Sequence, residues 1–159
     1  MYKVLMLVFV LSTLIGTSQN NENPSHENEK GISTKMATAW LKYNNEDYYG
    51  ALRTYRKLYS EAPGNAALNL KMGMCFVEVQ KMDSAISHLN KAIAIDSTVS
   101  KDAFFALGKA YQYNGNLDLA IDNFYNYKTR LSPKQNERHF ANILLRQCLT
   151  AKDLMANPV

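Results

Sequence analysis

Several things that catalytic and nucleic-acid-binding proteins need are missing from this sequence. It has no Cys-x-x-Cys and no His-Glu-x-x-His, and its three histidines, His26, His88 and His139, stand far apart. No glycine-rich loop follows a strand pattern, so nucleotide binding has no support. Asp83, Ser84 and His88 share one helical stretch, a triple that arises easily by chance and lacks an orienting partner. Cysteine occurs only at Cys75 and Cys148, too few for a disulfide scaffold in 159 residues, and both read as core thiols. Charge of one sign is also scarce: 18 basic and 14 acidic side chains leave +4, dispersed along the chain. Ten tyrosines and one tryptophan without a basic groove do not make a base-stacking surface. The expectation is a protein with no catalytic residue, no metal site, no cofactor and no nucleic-acid partner.

Long apolar runs are confined to the N-terminus. Lys3 precedes "VLMLVFVL", which fades through Ser12 and Thr13, and Gly16 and Ser18 fit positions −3 and −1 of a cleavage site. From Val4 to Ile15 the apolar core is 12 residues, short for a bilayer span. Residues 1–18 are therefore expected to be a signal peptide, with Gln19 as the mature start and no membrane span after it. An uncleaved anchor or a buried first helix is the alternative. No cysteine near the cut offers a lipid attachment point. Removal of Lys3 leaves 17 basic against 14 acidic groups, or +3. Residues 19–31, "QNNENPSHENEKG", hold almost nothing apolar and read as a disordered tether. An exported protein, periplasmic or associated with the outer membrane, is the expectation.

What the chain does have is a period. "ALGKAYQYNGNLDLAIDNF" contains Asn114-Gly115, which in isolation signals a β-hairpin. Alignment of segments starting at Ile32, Ala66 and Lys101 decides otherwise. Ala51, Ala85 and Ala120 recur 34 and 35 residues apart, Gly73 matches Gly108, Phe76 matches Tyr111, and Tyr55 matches Leu89 and Phe124. Pro63 closes the first segment and Pro133 lies just beyond the third. Small residues where two helices approach, and large ones beside them, are what close helix pairs require. Gly115 then ends a helix in a left-handed cap, and Asn116 caps the next.

This pattern resembles the tetratricopeptide repeat (TPR), a helix–turn–helix unit of about 34 residues. The likeness spans residues 32–133 and is strongest in the third repeat, at Leu107, Gly108, Tyr111, Gly115, Ala120 and Phe124. The first repeat departs from it with Ala39 at the glycine position and Lys42 where an aromatic is usual. The expected fold is an all-α TPR solenoid of three repeats (32–65, 66–100 and 101–133) plus a C-terminal capping helix. That helix, over 134–156, starts with Ser132, Pro133 and Gln135 as a capping box and carries Phe140, Ile143, Leu144, Cys148, Leu149 and Leu154 at helical spacing. It would cover the apolar end that repeat arrays expose.

In such an array the first helix of each repeat forms an inner wall. Here that wall would present Met36, Trp40 and Tyr43, then Leu70, Met74 and Val77, then Asp102, Phe105, Lys109 and Tyr113, an unusually apolar set. One reading is a groove for a peptide segment or helix of a protein partner, with Trp40 and Phe105 as anchors; the other is that neighbouring helices or the N-terminal segment bury much of it. Chaperone-binding TPR domains clamp a terminal carboxylate with basic and Asn side chains. The matching positions here are Met36, Trp40, Asp102 and Ala106, so that activity is not implied.

A narrower likeness rests on "LKMGMCF", "KAYQYNGNLDLAIDNFYNYKTRLSP", "RQCLTAKDLMANPV" and the export signal. Together they resemble the N-terminal TPR region of Bacteroidetes envelope proteins. In that group the repeats precede a WD-repeat-like propeller and often an OmpA-like peptidoglycan-binding domain, and some members belong to the type IX secretion apparatus. The resemblance implies a scaffold in an envelope assembly. The sequence ends at "ANPV", about where the propeller would start, so either a stand-alone adaptor or the front of a longer protein is expected.

Overall fold

The computed structural model describes residues 24–137 and 140–157; residues 1–18, expected to be a signal peptide, residues 19–23 of the expected tether and His139 lie outside them. The described residues form eight helices and no strand: α1 (Pro24–Asn44), α2 (Tyr48–Glu61), α3 (Ala66–Glu78), α4 (Met82–Ile95), α5 (Asp102–Tyr113), α6 (Leu117–Lys128), α7 (Pro133–Glu137) and α8 (Phe140–Ala156). Residues from Ile32 onward make one compact unit, and of the unit before it only the start of α1 is described.

One expectation is corrected here. Pro24–Gly31 of the tether are helical, with Pro24 at the first helical position, where its missing N–H leaves no bond unmade. The expected capping helix over 134–156 is described as α7 and α8, and residues 138–139 between them lie outside the described residues. At the start of α7 the Ser132 N–H donates to Gln135 Oε1 at 3.2 Å, one arm of the expected capping box.

Within each repeat the turn is the same device. Asp47, Lys81 and Asn116 donate their backbone N–H to the carbonyls of Lys42, Phe76 and Tyr111, each at 2.9 Å, while Glu46, Gln80 and Gly115 donate to Tyr43, Val77 and Gln112. These are Schellman closures, which need the residue between in the left-handed region. Gly115 is there at φ 76°, and so are Glu46 at 62° and Gln80 at 57°. The hairpin reading of Asn114-Gly115 is excluded. Asp47 and Asn116 then cap α2 and α6 through their side chains, onto Gly50 N (2.8 Å) and Leu119 N (3.4 Å).

Packing follows the size pattern. Ala51, Ala85, Ala120, Tyr55, Leu89 and Phe124 are all fully buried. A Cβ on Gly73 would stand 2.5 Å from Leu89 Cγ, and one on Gly108 2.5 Å from Phe124 Cε1, so glycine is what lets these helices meet. Burial of each large side chain is worth about 1.5–3 kcal/mol. One core cluster joins the first two repeats to α5, and a second joins α6 to α8 through Phe124, Leu145 and Cys148, with Tyr111 packed against both. Alternate helices meet as well, α3 against α5, which forms the inner wall. None of the described helices is long and apolar enough to cross a membrane.

Candidate partner-binding groove

The inner wall is built from α1, α3 and α5, whose inward faces the sequence register assigns. Tyr43 from α1, Met74 and Val77 from α3, and Asp102, Phe105 and Lys109 from α5 converge on a pocket of about 280 Å³. Glu78, Ala106 and Tyr127 complete its lining; Tyr127 comes from α6 and has no signal in the register of the first helices. Phe105 is held in place by Tyr127 and Phe124, with ring centroids 5.1 and 6.0 Å away.

The other expected groove residues are placed differently. Leu70 is 5% exposed and belongs to the core, because its side of α3 is closed by neighbouring helices. Met36 is half-buried against the same core. Trp40 does not line the pocket: Tyr43 stacks on its indole at 4.6 Å and the Lys71 ammonium sits 3.1 Å from its ring centroid. The ring is thus already engaged within the chain, a cation–π contact on top of a stack. Tyr113, 66% exposed, lines a second pocket of about 420 Å³ with Lys109, Gln112, Phe140, Leu144 and Gln147. Lys109 is common to both pockets, so α8 extends the groove instead of only covering the last repeat.

The electrostatics of the first pocket are set by three side chains. Lys109 Nζ donates to Glu78 Oε1 at 3.0 Å, with both groups about a quarter to a third exposed. Asp102 accepts from Ser100 Oγ at 3.2 Å, and no cation pairs with it among the described residues. Burial, then the nearby Glu78 carboxylate, pushes the Tyr43 phenol well above its ordinary range, with Asp102 adding to the effect. Burial and Asp102 push Tyr127 the same way. Both phenols therefore stay protonated and serve as neutral hydrogen-bonding walls.

The nucleophiles and imidazole are occupied with structure. Burial pushes the Cys75 thiol up to about 12 and raises Cys148 as well; both are buried and free. Asn69, fully buried and not singled out by the sequence, donates to the Pro63 and Asn65 carbonyls at 3.0 and 2.9 Å. Its Oδ1 thus accepts from His88 Nδ1 at 3.0 Å, which fixes the tautomer. His88 stacks on Phe76, and burial, aided by Lys91, pushes its imidazole below the usual range. Asp83 instead accepts from Asn114 at 3.1 Å, so Asp83, Ser84 and His88 do not assemble. The signal for Asn69 was a polar residue between two leucines in the largely apolar run "AALNLKMGMCF", where Lys71 is the only other polar side chain. No cluster of three or more His, Cys, Asp or Glu suited to a metal occurs among the described residues.

No family model matches the sequence. Solved structures do resemble the fold. The type III secretion translocator chaperone SycD of Yersinia enterocolitica is 15% identical with a TM-score of 0.69, over 79% of this chain and 88% of that one. PcrH, solved in complex with the chaperone-binding region of PopD, is 18% identical at 0.67, over 78% and 95%. The first TPR of Spaghetti (RPAP3), bound to the HSP90 peptide SRMEEVD, is 19% identical at 0.65, over 77% and 93%. The chain accordingly has the fold of a TPR solenoid.

Proposed function

We propose that this chain is a non-catalytic TPR adaptor that holds a segment of a partner protein in the groove of α1, α3, α5 and α8. The observation that carries this is the pocket where Tyr43, Met74, Phe105 and Lys109, drawn from three wall helices, come together. Protein or peptide partners of PcrH and RPAP3, on the same fold, support it. The signal-peptide pattern and the likeness to Bacteroidetes envelope proteins support a finer reading: an exported protein, periplasmic or outer-membrane-associated, serving a type IX secretion or peptidoglycan-associated assembly.

A cross-linked pull-down from cell envelopes tests it, with Met74→Trp beside the wild type to fill the pocket without altering its charge. Envelope components recovered by the wild type and lost in a normally helical Met74→Trp protein are the expected result. Equal recovery by both removes the groove from the argument.

A second reading, a structural or oligomerisation module, draws on α8, whose Phe140, Ile143 and Leu154 are all more than half exposed. Sedimentation showing a concentration-dependent dimer abolished by Ile143→Glu would favour it. A further alternative is the N-terminal part of a larger propeller or OmpA-like protein, which the genomic reading frame beyond Val159 decides.

A further inference from the structure

The pocket between α3 and α5 has a chemistry narrower than an apolar groove. Its volume, about 280 Å³, is at the lower edge of what small-molecule sites offer and suits one long side chain. Three rings, Tyr43, Phe105 and Tyr127, wall it, and Met74, Val77 and Ala106 supply aliphatic surface. At its rim stand two carboxylates, Glu78 and Asp102, and one ammonium, Lys109. The ammonium is bound to Glu78, and Asp102 has no cation within ion-pair distance among the described residues, though the charge of Lys71 is near enough to be felt by it. Lys71 is taken up by the Trp40 ring.

From this arrangement we infer that the pocket receives a lysine or arginine side chain of an extended partner segment, an inference that rests on the groove reading above. The aliphatic stem would lie along Met74, Val77 and Ala106. Its charged head would meet the aromatic walls and pair with Asp102. The alternatives fare worse on the same geometry. An acidic side chain would enter beside two carboxylates. A purely apolar one would strip water from Asp102 and give nothing in return. Both carboxylates are near enough to be felt at the ring walls: after burial, Glu78 and Asp102 raise Tyr43, and Asp102 raises Tyr127.

The test is a selection of phage-displayed 12-residue peptides on the folded chain. Binders are then made as C-terminally amidated synthetic peptides and measured by calorimetry against wild type, Asp102→Asn and Met74→Trp. The inference expects binders with Lys or Arg beside an apolar residue, about tenfold weaker on Asp102→Asn. Replacement of their basic residue by norleucine should weaken binding equally, with no further loss on the Asp102→Asn protein. Binders that are acidic or uncharged, or indifferent to Asp102→Asn yet lost on Met74→Trp, overturn the inference and leave the groove standing. Binders indifferent to Met74→Trp, or no enrichment at all, count against the groove itself.

Discussion

The first and third repeats share a backbone and divide its demands differently. In the third, glycine stands at the close approach (Gly108) and at the left-handed turn (Gly115), and Asn116 caps the helix that follows. In the first, the same three positions are Ala39, Glu46 and Asp47, and the large side chain opposite is Tyr55 rather than Phe124. Tyr55 is fully buried, and its hydroxyl has no hydrogen-bond partner among the described residues. The second repeat is intermediate, with Gly73 at the approach, Gln80 at the turn and Lys81, which makes no side-chain cap, before α4. The third repeat satisfies its backbone with residues suited to it. At the left-handed turn the first two place Glu46 and Gln80, held there by the closing hydrogen bonds against local preference.

The sharpest test of that contrast is at the approach. A methyl on Gly73 would clash with Leu89 Cγ at 2.5 Å and crowd the Leu89 backbone nitrogen at 3.2 Å, whereas at Gly108 the three nearest atoms all belong to the Phe124 ring. A side chain has more room to adjust than a backbone. Gly73→Ala should therefore cost about 3 kcal/mol and Gly108→Ala about 1–2 kcal/mol, read as lower urea midpoints. Equal losses would mean that the two repeats pack alike.

Next come two substitutions that move the earlier repeats toward the third. Tyr55→Phe removes a buried hydroxyl with no partner and gives the position the residue type of Phe124. It should stabilise the fold by about 1–2 kcal/mol, the desolvation cost of such a group; a loss of that size would reveal a bridging water. Lys81→Asp should add about 1 kcal/mol. Lys81 has φ −100° and ψ 72°, close to Asp47 at −78° and 66° and Asn116 at −87° and 78°, so the backbone is already set for a side-chain cap. Thermal melts of the two single variants would check both.

The same contrast explains what the sequence made legible. The period was visible because Ala51, Ala85 and Ala120 are each followed four residues later on the same helix by Tyr55, Leu89 and Phe124, and size is written in the residue itself. The turn at Gly115 was visible because glycine announces a left-handed residue. Those at Glu46 and Gln80 were not, since there the conformation is imposed by the closing hydrogen bonds. On the inner wall, the register of the first helices brought together Tyr43, Met74, Phe105 and Lys109, which line one pocket. It failed for Trp40 and Leu70, because which wall residues close on their neighbours depends on cross-helix partners such as Lys71. The Asn69–His88 tie and the contribution of Tyr127 lie 19 residues apart and on a second helix, respectively, where no local pattern reaches.

The smallest effect is expected at the turns. A side chain in the left-handed region costs roughly 1–2 kcal/mol relative to glycine, and glycine returns about 0.5–1 kcal/mol of that through the greater freedom of the unfolded chain. Gln80→Gly and Glu46→Gly should each therefore stabilise by about 0.5 kcal/mol, and Gly115→Gln should destabilise by a like amount. Glu46, Gln80 and Gly115 are all exposed, so no lost packing confuses the comparison. Urea midpoints measured at constant slope would resolve the three if replicates are averaged. Were Gly115→Gln neutral while Gln80→Gly stabilised, the third turn would be held more firmly by its Asn116 N–H to Tyr111 carbonyl bond than the second by its counterpart. Conformational preference would then not be what distinguishes the repeats.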